Sequence, residues 1–394
     1  VARIVNIVLH DFGKRMNQTY QPLHPTAPLR FDDAACRTLR GPYGSCRACA
    51  AVCPAGVLAV DVDEVRLKDG CLGCGRCVSA CPTEALRVEG FDASWDAPAD
   101  AVEPLRVDCW KAPARAVTGE LRVPCLGGLS AGRLLELWNA AGSRGLFLMD
   151  RGWCRHCSAG GGGQHAAMRA LGKAQEWLIA VGVARDRLPR LVREPLPASR
   201  MPAAIPDAAL QRKVSRRNFF RAAVAQAADV AQAAKPPRSA FAGYRSGASA
   251  ERARLLEGVA VAARQAGRPL PVALFPAAIL DDVCAGHGVC ARVCPTGALS
   301  SKDAADGGRA LVFDAAACIG CGCCARACPE RALRIEAAKT LPAGLVELRR
   351  WVSRECEHCG DTFADGSDAA LCPLCRKNRG LARDAFGALY GAPA

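Results

Sequence analysis

Cys71, Cys74, Cys77 and Cys81-Pro82 fit the spacing C-x2-C-x2-C-x3-C-P, and Cys318, Cys321, Cys324 and Cys328-Pro329 repeat it. Thiolates are the ligands that zinc and iron–sulfur clusters select, and this spacing suits a cubane cluster. Three close cysteines wrap three of its irons, while the fourth reaches a neighbouring cluster. The proline predicts that this fourth cysteine stands at the start of a helix. Glycines 73, 75, 320 and 322 let the backbone approach the metal and aim N–H groups at its sulfurs.

A second cysteine group stands upstream of each motif. In the first copy Cys46, Cys49 and Cys53-Pro54 supply three ligands, but the residue three before Cys46 is Tyr43. Cys36 is the expected substitute. It follows Phe31-Asp32-Asp33-Ala34-Ala35 much as Cys318 follows Phe313-Asp314-Ala315-Ala316-Ala317, so the entry is kept and the loop is longer. Crossover of the fourth ligand assigns one cluster to Cys36, Cys46, Cys49 and Cys81, and the other to Cys71, Cys74, Cys77 and Cys53.

In the second copy the group reads Cys284, His287, Cys290 and Cys294-Pro295, with histidine in the second ligand position. Either His287 ligates as a neutral imidazole, leaving the cluster less anionic and raising its potential, or it is a bystander and the site holds 3Fe-4S or nothing. Cys318, Cys321, Cys324 and Cys294 form the last set, with Cys323 out of register as a spare buried thiol.

The two copies are one duplicated unit. CPAGVL then CLGCGRCVSACPTEALRVE in the first answer to CPTGAL then CIGCGCCARACPERALRIE in the second. Both blocks resemble the bacterial two-cluster ferredoxin family, which implies a pseudosymmetric pair of hairpins and short helices in each. Three to four 4Fe-4S clusters are expected, one of them His-ligated or 3Fe-4S.

Between the copies, Cys109-Trp110 precedes a strand-like LRVPC ending at Cys125, a helix-like LLELWNAAG, a strand-like GLFLMD and the loop Gly152-Trp153-Cys154-Arg155-His156-Cys157. Glycines 160 to 163 open an amphipathic helix predicted to end near Gly182. This order resembles the delta subunit of methyl-viologen-reducing hydrogenases, which implies a 2Fe-2S cluster on Cys109, Cys125, Cys154 and Cys157 that passes electrons between larger subunits. The chain has one cysteine at 109 where that family has a close pair, and structural zinc or four empty thiols are the other readings. His156 and His165 could enter the site, but histidines in a polar loop read as solvated.

Ser215-Arg216-Arg217-Asn218-Phe219-Phe220 resembles a twin-arginine export motif, yet the following AAVAQAADVAQAA is broken by Gln and Asp and a long chain precedes it. It reads as a basic amphipathic helix. Cys356-Glu357-His358-Cys359 and Cys372-Pro373-Leu374-Cys375 fit the two knuckles of a zinc ribbon, with mononuclear iron, as in rubredoxin, the alternative.

The elements that must hold these groups predict an α+β, multi-domain chain. Residues 1–92 form the first dicluster module, 93–200 an α/β cysteine domain, and 201–270 a basic Ala- and Pro-rich helical linker. Residues 271–340 form the second dicluster module and 341–394 the zinc ribbon-like tail. With 38 glycines and only 5% aromatic residues, the 394-residue chain favours several small units over one large core.

The formal charge of +14 would suit nucleic acid. Each tetrathiolate centre, however, carries roughly two net negative charges, so six would remove about twelve. No nucleic-acid partner is therefore expected. No apolar run is long enough to span a membrane, which leaves peripheral association open. Without an evident signal segment, the 24 clustered cysteines read as metal ligands in a reducing cytoplasm rather than as a disulfide framework.

No nucleotide loop or nucleophile–base pair is evident, and the chain is not expected to catalyse alone. The expected function is an electron-transfer subunit serving a larger redox enzyme, such as a hydrogenase, formate dehydrogenase or other molybdenum or tungsten oxidoreductase. An accessory factor that matures such an enzyme and a redox-sensing nucleic-acid binder are the alternatives.

Overall fold

The computed structural model describes residues 20–40, 45–91, 103–113, 121–160, 162–200, 249–303, 308–342, 344–365 and 370–390. The chain divides into two compact units, Val1–Leu274 and Phe275–Ala394. The Arg216-Arg217 motif and most of the linker read over 201–270 lie outside the described residues. No described helix is long and apolar enough to cross a membrane.

The first unit opens with short antiparallel strands β1 (Gln21–Pro22), β2 (Leu29–Phe31), β3 (Leu58–Val60), β4 (Val65–Leu67) and β5 (Leu86–Val88). β5 closes on β2, with Leu29 opposite Val88 and Phe31 opposite Leu86, while β3 and β4 form a hairpin pairing Leu58 with Leu67 and Val60 with Val65. Alternation decides which face is buried. Leu58, Val60, Val65 and Leu67 point into the core and Arg66 points out. Helices α1 (Ala48–Ala51) and α2 (Arg76–Ala80) are single turns carrying cysteines onto that core. Gly75, at φ +69°, starts α2 in the left-handed region, where a side chain would also strike Phe91.

Cys81 does not open a helix as the proline suggested. It is an extended residue at the end of α2, and Pro82 leads into a turn. The residue before a proline is driven from helical to extended backbone, so the proline stops a helix here instead of starting one.

The same unit contains a four-stranded parallel sheet, in the order β7 (Leu121–Val123), β6 (Leu105–Cys109), β8 (Leu146–Asp150) and β9 (Arg190–Arg193). Helices α3 (Ala131–Ala141) and α4 (Met168–Ala180) make the crossovers that parallel strands require. Leu134, Leu135, Leu137 and Trp138 of α3 and Leu171 and Leu178 of α4 are buried along with Val107, Leu146 and Leu148 of the strands. α4 begins later than the glycine run implied, because Gly160 is packed against Cys154 in a turn, with a built Cβ only 1.9 Å from the Cys154 carbonyl oxygen.

Helix α5 (Ala250–Gln265) also belongs to this unit. Gly258 permits its contact with α3, since a Cβ there would sit 2.6 Å from Leu135 Cβ, and Glu251 accepts the Gly132 N–H at 2.7 Å.

Beneath the sheet's carboxyl edge Arg151 (3% exposed) and Asp108 (0%) form a two-pronged pair, Nε to Oδ1 at 2.8 Å and Nη2 to Oδ2 at 2.7 Å. Removing one partner strands a buried charge. Arg151→Met is expected to destabilise the unit by about 3–5 kcal/mol, with much of that recovered in the Asp108→Leu/Arg151→Met double variant. Chemical denaturation of the three proteins measures it.

The second unit repeats the ferredoxin pattern with longer strands. β10 (Pro276–Leu280) pairs with β13 (Leu333–Ala337), and β11 (Leu299–Asp303) pairs with β12 (Arg309–Asp314). Short helices α6 (Val289–Arg292) and α7 (Cys323–Ala327) follow Gly288 and Gly322. The tail shares a sheet with this module. β14 (Leu345–Glu355) pairs with β12 on one side and with β15 (Thr362–Asp365) on the other, and the second knuckle opens α8 (Pro373–Tyr390). Proline at the first helical position lacks the N–H that would go unpaired there anyway.

Candidate metal centres

In the first module Cys53 lines one apolar cavity together with Cys71, Cys74 and Cys77, bounded by Leu29, Leu58 and Val88. Cys36, Cys46 and Cys81 lie close enough to Cys49 to act on its charge. Members of each crossed set read from spacing thus lie near one another, and the two sets adjoin, since Cys49 also acts on Cys77. Cys36 occupies the place that Cys284 holds in the other module. Asp32 N–H donates to Ala85 O as Asp281 N–H donates to Ala332 O, and each cysteine follows at the close of the turn. The longer loop is tied by buried Thr38, whose hydroxyl donates to Cys46 O at 2.7 Å and accepts the Cys46 N–H.

Burial raises the thiols of Cys36, Cys49, Cys71, Cys74, Cys77 and Cys81. Cys49 is pushed up to about 12 by burial and then by Cys81 and Cys36, and Cys77 stands well above the ordinary thiol range for the same reasons. Several thiolates crowded in an apolar core need cationic metal to exist. The cysteine Sγ atoms of the modules do not converge as a mononuclear cage would, for among the described residues only two groups place all their ligand atoms within 4.8 Å of one another, and neither is here. A wider set of thiols around an apolar cavity fits a cubane.

In the second module, Cys284 and Cys328 act on Cys290, which burial raises to about 11, and Cys294 and Cys318 act on Cys324, raised by burial to about 12. Backbone N–H groups of Leu299, Gly320 and Ala332 point at Cys294, Cys318 and Cys328 Sγ at 3.3–3.4 Å. Cys321 lies in the loop before α7. Cys323, the first residue of α7, is buried. His287 is 40% exposed, and its Nδ1 lies 2.9 Å from Glu330 Oε1.

The middle cysteines gather at the carboxyl edge of the parallel sheet. Cys109 ends β6, Cys125 follows β7, and Cys154 and Cys157 follow β8. That edge is where open parallel sheets place ligands. Burial, followed by Cys74, Cys109 and Cys157, pushes Cys125 up to about 12. The first module abuts this site. Ser79 Oγ donates to Gly127 O at 3.0 Å, Arg76 Nη1 donates to Gly160 O at 3.2 Å, and a Cβ built on Gly128 would lie 2.7 Å from Cys74 O.

His165 is not solvated as its loop suggested. Burial lowers it below the usual imidazole range, and its ring stands with Cys154 and Asp150. Lys111, 4% exposed, is a second residue that the sequence reading missed. Its Nζ donates to Cys157 Sγ at 3.0 Å, and its only signal was its place two residues after Cys109.

Cys356, Cys359, Cys372 and Cys375 are the one all-cysteine group within 4.8 Å among the described residues. Tetrahedral zinc with bonds of about 2.3 Å needs sulfurs about 3.8 Å apart, and Cys359 and Cys372 Sγ are 3.9 Å apart. The Cys372 N–H, 3.2 Å from Cys356 Sγ, and the N–H groups of Cys359 and His358 hold Cys356 down at about 6, while Cys375 is raised by its neighbouring thiols. Cys356 is thus the thiol of this group that loses its proton most readily on binding metal. Zinc binding near pH 7.5 is expected to release fewer than four protons, and one more once the pH falls below the Cys356 value. Calorimetry in buffers of different ionisation enthalpy counts them.

Residues 42–91 match the family model of the LdpA Fe-S cluster-binding domain, and residues 283–332 match that of a 4Fe-4S dicluster domain. Over 44 residues the chain is 48% identical to the polyferredoxin protein MvhB of Methanothermus fervidus, a stretch covering 11% of this chain and 11% of that relative. The matched blocks hold every module cysteine except Cys36. In these two stretches the chain is similar to iron–sulfur, ferredoxin-like domains, and in the first of them the cysteines pack around a small apolar core.

Proposed function

We propose that this chain is an iron–sulfur electron carrier, relaying single electrons among clusters in its two ferredoxin modules and the cysteine site of the parallel sheet, to or from a larger oxidoreductase. The observation that carries the reading is Cys53 sharing one cavity with Cys71, Cys74 and Cys77 while Cys81 stands with Cys36, Cys46 and Cys49. Two sites side by side in one small module suit electron relay, because each holds one redox group and little protein lies between them.

In this reading one 4Fe-4S cluster is held by Cys36, Cys46, Cys49 and Cys81, and a second by Cys53, Cys71, Cys74 and Cys77. A third is held by Cys284, His287, Cys290 and Cys328, and a fourth by Cys294, Cys318, Cys321 and Cys324. Cys109, Cys125, Cys154 and Cys157 hold a 2Fe-2S cluster, and the tail holds structural zinc. The bound clusters supply reversible one-electron chemistry. The chain's own residues fix their spacing, exclude water with Leu29, Leu58 and Val88, and aim backbone N–H groups at the sulfurs. The packing of Cys74 against Gly128 supports a short route from the first module to the middle site.

Stopped-flow mixing of the dithionite-reduced, desalted protein with a high-potential one-electron acceptor, ferric cytochrome c, tests the reading. Oxidation of the iron–sulfur absorbance within milliseconds to seconds is expected. Clusters that are present but exchange over many minutes would count against a carrier.

A further inference from the structure

One buried N–H donor reaches a sulfur atom of the middle site, and a second buried ring nitrogen stands beside the same cysteines. Lys111 Nζ lies 3.0 Å from Cys157 Sγ, and Asp108, on the strand that precedes Lys111, is matched by Arg151. His165, Cys154 and Asp150 place their ligand atoms within 4.8 Å of one another. His165 Nδ1 accepts the Ala167 N–H at 3.2 Å, so the neutral ring carries its proton on Nε2. That Nε2 is buried and has no hydrogen-bond partner among the described residues.

This tautomer decides the chemistry. A ligating histidine offers a lone pair to the metal and keeps its proton on the other nitrogen, whereas here Nδ1 is the acceptor and Nε2 is the donor. In this tautomer His165 is a donor standing beside Cys154 and Asp150 rather than a metal ligand. Lys111 adds a buried donor whose N–H reaches Cys157 Sγ directly. Hydrogen bonds and positive charge at the sulfurs favour the more negative, reduced form of an iron–sulfur centre and raise its potential.

We propose that Lys111 and His165 are potential-setting residues for an iron–sulfur cluster held by Cys109, Cys125, Cys154 and Cys157. They make that centre the electron-accepting end of the first unit. The proposal rests on the reading of the middle site as a redox cluster. The centre held by Cys53, Cys71, Cys74 and Cys77 loses one electron, the middle centre gains it, and no bond or proton changes place.

The test is potentiometric EPR of the full chain, with iron and sulfide analysis alongside. The middle signal is identified by its loss in Cys125→Ala. Lys111→Met and His165→Leu are each expected to keep the wild-type iron content and to disfavour reduction of that signal tenfold or more, about 59 mV lower for one electron. Lys111→Arg stays near wild type, and the other signals do not move. Lys111→Gln and His165→Gln, which retain neutral donors, shift the same way by less, so a variant that sheds its cluster does not stop the test. Unchanged or raised midpoints with full iron would overturn the proposal while leaving the cluster reading intact. A wild-type middle site that holds zinc, with no signal lost in Cys125→Ala, would overturn the cluster reading and the proposal together.

Discussion

Cys53→Ala is expected to remove about four irons per chain and one cubane EPR signal, although Cys53 belongs in sequence to the other cysteine group. Its thiol lines the cavity of Cys71, Cys74 and Cys77, so the variant leaves that cluster with three ligands in an apolar wall that offers no substitute. Cys81→Ala is expected to take the other cluster, held with Cys36, Cys46 and Cys49, and Cys36→Ser to damage it. Cys323→Ser should leave iron unchanged. Iron analysis and EPR of the four variants check the set, and Cys53→Ala and Cys81→Ala removing the same signal would break the crossover.

A second large effect is expected at His287. A cubane with three thiolates and one neutral imidazole is roughly one unit less negative than an all-thiolate one, so it accepts an electron more readily. His287→Cys restores the repeat and should lower that midpoint with four irons kept, whereas His287→Ala should release iron or yield 3Fe-4S. Glu330 supports the assignment. With its carboxylate 2.9 Å from Nδ1 it accepts the proton there, leaving Nε2 its lone pair, the arrangement that metal-binding histidines use. Potentiometric EPR of wild type and both variants measures it, and a midpoint unmoved in both would remove His287 from the metal.

Much of this was legible in local spacing. The C-x2-C-x2-C-x3-C-P runs marked both modules, and the strand-like LRV and LFLMD segments marked the parallel sheet, because tight metal loops and buried strands leave short-range signatures. Cys36 was found through the Phe31-Asp32-Asp33 entry, since the turn it makes is local.

Features made by distant residues were hidden. Nothing near β14 announces that it pairs with β12, nor does anything near Gly258 announce that it lies against Leu135. The Arg151–Asp108 pair, the Lys111 contact with Cys157 and the burial of His165 depend on strands and loops folding over one another. Pro82 was misread because its effect on the residue before it outweighed its preference for a helix start.

The most direct test of the account is iron and acid-labile sulfide analysis of the anaerobically purified chain, with EPR of the reduced protein. Four cubane sites and a 2Fe-2S middle cluster predict about eighteen irons per chain, or about fourteen with the His287 site empty, with multiple interacting cubane signals. A value near eight would mean that one ferredoxin module holds no clusters and would contradict the relay.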